Sequence, residues 1–550
     1  MCLDPEIALS VPQETRRVAE AALPNGNRYM QMRDEIGTLF EDPQFADLFP
    51  PQGQPGIAPW RLALTTLFQF AEGLSDRQAA EAVRGRIDWK FAQGLELTDS
   101  GFDASVLCEF RTRLLEGGAV KRLFDLLLER FRARKWLAAG GRQRTDSTHV
   151  LAAVHALNRL ECVGETLRFA LNRLAVVAPE WLSAHVQPEW KDRYGRRFED
   201  YRLPAGKDKR TALALLVGQD GWTLLQALMS PRAPIWLREV PAVSILRQVW
   251  VQQFVREDGT LRWRTAQEMP PAAQQIHSPF DIEARYGAKN TTYWLGYKVH
   301  LTETCEPDQP HLITHVQTSS ALTPDGNLTL PIQQALQEQD LLPAVHLVDT
   351  GYTDAELVVQ SQRDYGVDLL GPMRADYHWQ ARSGEGFDAA SFHVDWEAQQ
   401  VVCPEGHTST KWSEAVDGRD NAVVKVGFAR KDCRDCPSRS RCTRSADARR
   451  TITLRCREHH EALLAARLRQ QTDAFKEEYA RRAGVEGTHS QAVRSCGLRR
   501  SRYIGLAKTH LQHVLTAAAL NFVRMAEWLA ETPFAETRKS PFLKLMLAST

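Results

Sequence analysis

The stretch AVHLVDTGYTDAELVVQSQRDYGVDLLGPM (residues 344–373) decides the fold class. It opens on an apolar strand, AVHLV, turns through Asp349-Thr-Gly-Tyr, continues as a helix, TDAELVVQSQRDYG, and returns to a strand-like VDLLGPM. Just upstream, GYKVHLTETC (296–305) and HLITHVQTSS (311–320) alternate, carry β-branched residues and are bounded by turns, so they read as strands. LPIQQALQEQ (330–339) reads as a helix between them and AVHLV. Strands alternating with helices predict an α/β core. Asp349 stands where the chain leaves the carboxyl end of a strand, the place where α/β proteins put their sites. It could instead cap the following helix, although Asp354 is the better-placed cap.

Outward from this stretch the texture changes twice. RQRTDSTHVLAAV (142–154) predicts a strand followed by a helix, and it carries Asp146 on a polar segment that by itself resembles a surface turn. Residues 151–280 read as mostly helical. Before 139 the chain is helical: APWRLALTTLFQFAEG is a buried helix ended by Gly73, and Ser75 with Gln78 forms a capping box for the next. DASVLCEFRTRLLEGG and AVKRLFDLLLERFRARKW are two more helices. Such short helices allow either a helix-turn-helix DNA binder or a plain bundle. Residues 1–50 are mixed, and FPPQGQPG (49–56) is a linker. Residues 380–455 interrupt the core with two strands, FHVDWEAQQVVCP and AVVKVGFARKDC, and a cysteine cluster. Helices resume from His459, and HLQHVLTAAALNFVRMAEWLA presents an apolar face to the sheet.

The totals narrow the function classes. The chain has 550 residues, 43% of them apolar, enough for two to four domains with a sizeable core. The net charge is +1, so charge alone announces no partner. Its distribution says more: from Lys425 to Lys508 there are 21 Lys/Arg against 9 Asp/Glu. That basic third suits phosphates, or a solvated helical surface. No apolar run approaches the ~18 residues that span a bilayer, and MCLDPEIALSVPQE lacks the pattern of a signal peptide. Ten scattered cysteines fit reduced thiols in a cytoplasm.

Two local patterns carry chemistry. In YARRAGVEGTHS (479–490), Tyr479, Arg482 and Glu486 recur at i, i+3 and i+7, which on a helix is one face. Gly484 and Gly487 flank the acid, each costing a helix about 1 kcal/mol relative to alanine. That cost predicts close approach by something else, or a kink. An exposed Arg–Glu pair is the plainer reading. In RKDCRDCPSRSRC (430–442), Cys433, Cys436 and Cys442 follow Cys403 of VVCPEGH. Four thiolates with one C-x2-C pair can form a closed structural zinc site, which would compensate for the small core of a short β insertion. His407 and Cys456 are alternative fourth ligands. Reduced thiols and an iron–sulfur cluster are the competing readings.

With TDST around Asp146, VDTGY around Asp349 and YARRAGVE ending in Glu486, the chain resembles a DDE-type bacterial insertion-sequence transposase. YARRAGVE matches that class's Y-x2-R-x3-E signature. ARYGAKNTTYWLGYKVHLTET (284–304), EGTHSQAVRSCGLRRSRYIGLAKTHLQHVLTAAALNFVRM (486–525) and the cysteine cluster fit one subgroup, whose members have a helical N-terminal domain. The resemblance implies an α/β fold: a ribonuclease-H-like catalytic core with a helical N-terminal domain and a cysteine-containing β insertion. The expected division is 1–138 helical and DNA-binding, 139–379 the first part of the catalytic domain with a helical insertion near 151–280, 380–455 the cysteine-rich insertion, and 456–550 the last part of the catalytic domain. The resemblance makes Asp146, Asp349 and Glu486 the catalytic, metal-binding triad, and implies phosphate contacts by Tyr479 and Arg482. The class pattern continues with a Lys seven residues after the Glu. Here Val493 stands there, with Arg494 beside it, so Arg494, Arg499 or Lys508 is expected to substitute, joined by Arg500 and Arg502.

Cutting a phosphodiester with water and joining a 3′-OH to target DNA are in-line displacements at phosphorus. Two Mg2+ ions can activate the attacking oxygen and stabilise the leaving one, and Mg2+ prefers carboxylate oxygens. Mn2+ can substitute. The expected function is therefore a transposase that binds terminal inverted repeats, cleaves DNA and transfers strands, acting at the bacterial nucleoid in the cytoplasm. The expected partners are double-stranded DNA, both transposon ends and target, and a second copy of the chain. A metal-dependent nuclease without transposition and an inactive DNA-binding protein are the alternatives.

Overall fold

The computed structural model describes residues 2–3, 10–289, 291–418, 420–445, 449–533 and 540–548. Half of the N-terminal stretch read for a signal peptide, residues 1 and 4–9, lies outside the described residues. From residue 13 to residue 133 the chain is helical: α1 (Gln13–Ala22), α2 (Arg28–Ile36), α3 (Pro59–Glu72), α4 (Asp76–Gly85), α5 (Ile87–Gln93), α6 (Ser105–Glu116) and α7 (Arg122–Ala133). The first 50 residues thus contain helices that their mixed pattern did not announce. Helix α3 is buried almost all round and stops at Gly73, whose φ of 68° closes the left-handed cap. Helix α4 begins at the expected capping box, with Ser75 and Gln78 bonding reciprocally.

The main sheet is built from β1 (Arg142–Leu151) and five later strands. Between them runs a helical excursion: α8 (Arg159–Val177), α9 (Pro179–Ser183), α10 (Trp190–Tyr194), α11 (Lys207–Met229) and α12 (Pro241–Gln253), followed by the hairpin β2 (Phe254–Glu257) and β3 (Thr260–Trp263). It has its own core around Val163, Leu167, Val217, Leu246 and Trp250. The helix expected directly after β1 starts only at Arg159, because Asn158 is the residue that caps its first N–H groups.

The sheet then continues with β4 (Arg285–Lys289), β5 (Thr292–Thr304) and β6 (Ile313–Ser320), helix α13 (Thr329–Glu338), β7 (Val345–Leu347), helix α14 (Ala355–Tyr365) and β8 (Asp368–Leu370). In space the order is β4 and β6 along one side of β5, then β1, β7 and β8. Strand β5 is antiparallel to β1 and β6, whereas β7 is parallel to both β1 and β8. Strand β1 is therefore interior, with a neighbour on each side.

The cysteine-containing insertion is small. After α15 (Trp379–Arg382) come β9 (His393–Asp395) and β10 (Gln400–Val402), a hairpin in place of the one strand expected over FHVDWEAQQVVCP, because residues 396–399 make the turn. Strands β11 (Lys411–Val416), β12 (Ala422–Gly427) and β13 (Thr451–Arg455) form a second sheet, with α16 (Arg430–Arg434) and α17 (Arg439–Cys442) beside it. The core of the insertion is Phe392, Val401, Val426, Phe428, Ile452 and Leu454. The chain ends with α18 (Arg457–Gln470), α19 (Asp473–Ala480), α20 (Gly484–Cys496), α21 (Leu506–Leu529) and α22 (Pro541–Ala548).

Helix α21 joins the two halves. It packs on β6 and against α2, α3 and α7. Asn521 brackets the Ile313 peptide, accepting its N–H and donating to its carbonyl, both at 2.7 Å. Phe522 lies 5.3 Å from Phe68 and 5.9 Å from Tyr29, ring centre to ring centre. The N-terminal helices and the sheet thus share one continuous hydrophobic core.

Beside α21, β5 carries Glu303 with no exposure at all. Arg144 of β1 reaches its Oε1 at 2.6 Å, and Arg524 of α21 reaches its Oε2 at 2.8 Å. Thr488 of α20 donates to the same carboxylate at 2.6 Å. Burial opposes the charge, but Arg524 and Arg144 outweigh it and hold the carboxyl below its ordinary value. Arg144 also donates to the Arg481 carbonyl, at 2.5 Å. Its guanidinium fills the place where a Cβ on residue 484 would stand, so only glycine fits there. The close approach expected at Gly484 is by Arg144.

Two consequences are testable by thermal and denaturant melts. A group whose folded pKa lies below its unfolded value stabilises the protein above the unfolded value and loses that contribution as pH falls. Wild type should therefore lose stability below about pH 4.5 more steeply than Glu303→Gln, which at neutral pH should be less stable by about 3 kcal/mol because two buried arginines lose their counter-charge. Gly484→Ala should cost about 1–3 kcal/mol through overpacking against Arg144; an unchanged midpoint would contradict the seat drawn for that guanidinium.

Candidate active site

The register of β1 and β7 brings two distant acids level. Leu347 pairs with Arg144 in parallel, and β7 pairs with β1 no further. Two residues on from that pair stand Asp146, still on β1, and Asp349, just beyond the end of β7; they are 203 positions apart in the chain. Asp146 is only 8% exposed, and its Oδ1 accepts the N–H of Ser147 at 2.7 Å. Asp349 Oδ1 accepts the Gly351 N–H at 2.8 Å, closing a tight turn. Capping of α14 falls to Asp354, which accepts from the Leu357 N–H, so Asp349 is not spent on that helix. Burial pushes both carboxyls above their ordinary values. Arg482 draws Asp146 back, whereas the charge of Asp146 pushes Asp349 further up.

Tyr479, Arg482 and Glu486 do come to this place, but not on one helix face. A 3-10 turn, Arg481–Ala483, separates α19 from α20. Tyr479 closes α19, half-buried and stacked on Phe475 at 5.5 Å, beside Leu347 and Leu370. Arg482 sits in the 3-10 turn. Its Nη2 donates to Asp146 Oδ2 at 2.9 Å, and its Nη1 lies 3.8 Å from Glu486 Oε1. Arg482 Nε is buried and has no hydrogen-bond partner in the structure. Glu486, in the first turn of α20, has a side chain 71% exposed. A Cβ at Gly487 would meet nothing within 4 Å, so the helix surface beside Glu486 is bare. Arg482 thus stands between the buried Asp146 and the solvent-facing Glu486. Among the described residues no three His, Cys, Asp or Glu side chains are gathered closely enough to hold a metal ion.

The other basic residues named from the sequence divide by location. Arg499 donates to the His149 ring, at 2.7 Å from Nδ1, three residues along β1 from Asp146. Residues 499–501 extend the sheet past β1: Leu151 N–H donates to the Arg499 carbonyl and Ser501 N–H to the Leu151 carbonyl. Arg500, beside this ladder, is exposed, as are Arg494 on α20 and Lys508 on α21. Arg502 turns toward the N-terminal helices, over the Phe70 ring and onto the Leu74 carbonyl. Val493, where the class pattern has lysine, packs against the main core.

One acid at this place had no signal in the sequence. Asp325 opens a 3-10 turn after β6, within Thr-Pro-Asp-Gly, which reads simply as a turn. It pairs with Lys298 of β5 at 2.9 Å and accepts from Ser147 Oγ at 3.3 Å.

Away from the acids, Cys403, Cys433, Cys436 and Cys442 line a single cavity of about 20 Å3 together with His407, Phe392 and Arg450. Cys456 is not part of that lining. The His407 N–H donates to Cys403 Sγ at 3.3 Å and the Arg450 N–H to Cys433 Sγ at 3.5 Å. Burial pushes the Cys442 thiol up to about 11.

Residues 402–526 match the family model described as Transposase DDE domain, a span that includes the cysteine cluster and Glu486. Residues 17–113 match the model described as Transposase domain (DUF772). No curated protein and no solved structure matches the chain. No helix among the described residues is long and apolar enough to cross a membrane. With a DDE domain match toward one end and a second transposase domain match toward the other, the two matches support a DDE-type insertion-sequence transposase.

Proposed function

We propose that the protein binds the terminal inverted repeats of its element, cleaves DNA strands there and joins the 3′-OH ends to target DNA, using Asp146, Asp349 and Glu486 as the catalytic acids. The observation that carries this reading is the β1–β7 register, which brings Asp146 and Asp349 from 203 residues apart to within electrostatic reach of each other. The strand order supports a ribonuclease-H-like core: an interior strand with an acid, antiparallel strands on one side and parallel strands on the other.

The donor set suits a hard divalent cation. Both carboxyls are held above their ordinary values, by burial first, with the Asp146 charge raising Asp349 and the Asp325 charge raising both, and both would gain from a positive charge between them. When bound, two Mg2+ ions would activate the attacking oxygen and stabilise the leaving one. The chain does the rest. Asp146 and Asp349 are oriented by the Ser147 and Gly351 N–H groups. Arg482, which now neutralises Asp146, can instead hold a phosphate by its forked donors. Glu486 projects from the bare face of α20 into solvent, where a DNA backbone can reach it. Arg499, Arg500, Arg494 and Lys508 extend the basic surface around the same opening, with Tyr479 forming part of its wall. Bringing two DNA ends together calls for a homodimer in the complex.

The four cysteines form a structural zinc site in this reading. Their shared cavity and the two N–H···S bonds support it: such bonds stabilise thiolates, the ligand form of cysteine. Zinc would draw the thiolates inward and tie α16 and α17 to the β insertion, whose own core is small.

Cleavage of labelled DNA carrying the element end should require Mg2+, stop with EDTA, and be lost in Asp349→Ala and Glu486→Gln while both variants still bind the end. Binding without cutting in wild type would sink the catalytic assignment; cutting without strand joining would move it to a nuclease. Metal analysis of the purified chain should find about one zinc, with free thiols appearing only after chelation; freely titratable thiols in the untreated protein would refute the zinc site.

A further inference from the structure

We propose that Lys298 and Asp325 form a charge pair that sets the affinity of Asp146 and Asp349 for a divalent cation. The inference rests on the reading of those two acids given above. Asp325 Oδ1 accepts from Lys298 Nζ at 2.9 Å, and the same ammonium donates to the Thr323 carbonyl at 2.8 Å. Asp325 Oδ2 accepts from Ser147 Oγ at 3.3 Å, and the Ser147 N–H is the group that orients Asp146. The pair is therefore one residue removed from Asp146.

It also adjoins the Asp349 turn. The turn that begins at Asp325 packs directly on the turn that begins at Asp349. A Cβ on Gly326 would lie 3.2 Å from the Gly351 carbonyl oxygen. A Cβ on Gly351 would lie 2.9 Å from Asp349 Oδ1 and 3.3 Å from Asp325 Oδ2. Glycine at 351 is what lets the two carboxylates share that space. Asp325 and Lys298 are 17% and 18% exposed, so their charges act through protein more than through water.

Three acids thus converge from β1, the β7 turn and the β6 turn, and two cations answer them: Arg482 at Asp146 and Lys298 at Asp325. Arg482 comes from the segment that would meet DNA. Lys298 comes from the middle of β5, in the interior of the sheet, and stays. Asp325 then cancels Lys298, so that a resident positive charge does not repel an incoming cation. Removing either partner shifts the charge next to the acids by one unit, in opposite directions.

The test is Mn2+ binding to the full-length chain without DNA, followed by electron paramagnetic resonance of the free ion. Asp325→Asn leaves Lys298 uncompensated and should weaken the Asp349-dependent site about tenfold, the effect of one unit charge a few ångströms away in a protein-like dielectric. Lys298→Gln leaves an extra carboxylate and should tighten the site by a similar factor, and the double variant should return close to wild type. A purely structural ion pair would loosen the site in both single variants; that result, or no shift in either, overturns the proposal. If Asp325→Asn does not fold, Lys298→Gln decides alone: tightening sustains the pair's electrostatic role and weakening or no change ends it. An Asp349→Ala control separates the two levels, because wild-type Mn2+ binding that this variant leaves unchanged defeats the reading of the acids themselves.

Discussion

Everything near the candidate site hangs on one buried carboxylate. Glu303 is fully enclosed, and four elements meet on it: Arg144 from β1, its own strand β5, Thr488 from α20 and Arg524 from α21. An ionised carboxylate without partners in such a place would cost several kcal/mol. With two guanidiniums and a hydroxyl it becomes a junction, because each partner must approach from a set direction. Arg144 passes the constraint on, through the Arg481 carbonyl and through Gly484, to the segment that carries Arg482 and Glu486. The helix bearing the third proposed catalytic acid is thereby fixed to the strand bearing the first.

The same economy governs the acids. Asp146 and Asp349 are partly desolvated, with their charges disfavoured by burial and by the neighbouring Asp325, and Asp349 also by Asp146. The fold accepts this strain because backbone N–H groups hold both carboxylates and Arg482 offsets part of the charge. In the proposed function, that remaining negative charge is what a cation would answer.

Much of this was legible in the chain. The alternation of AVHLV, a helix and VDLL predicted the α/β sheet, and β5, β6, α13, β7, α14 and β8 follow where periodicity put them. Helices α3 and α4 end and begin where glycine and a capping box said they would. Asp349 was visible from its place after an apolar strand. Asp146 was not, because its strand is polar in sequence; a strand with neighbours on both sides satisfies polar side chains by contacts that no local pattern records. Glu303, Asp325 and Lys298 carried no signal either. A Glu amid alternating strand residues and an Asp in a Pro-Asp-Gly turn look ordinary until the sheet sets them against arginines, a lysine and other acids.

The sequence by itself determined the order of strands and helices, the helix ends, the basic stretch and the transposase resemblance, because these depend on neighbours within a few residues or on motif identity. Tertiary structure alone decided what lies next to what. The register of β1 on β7, not any local motif, made Asp146 and Asp349 partners. The guanidinium of Arg144, not helix propensity, demanded glycine at 484. The 3-10 turn at 481–483 moved Tyr479, Arg482 and Glu486 off a single helical face and put Arg482 between the acids. Each of these is a contact between residues distant in the chain, and its energy comes from burial and charge that exist only once the chain has closed on itself.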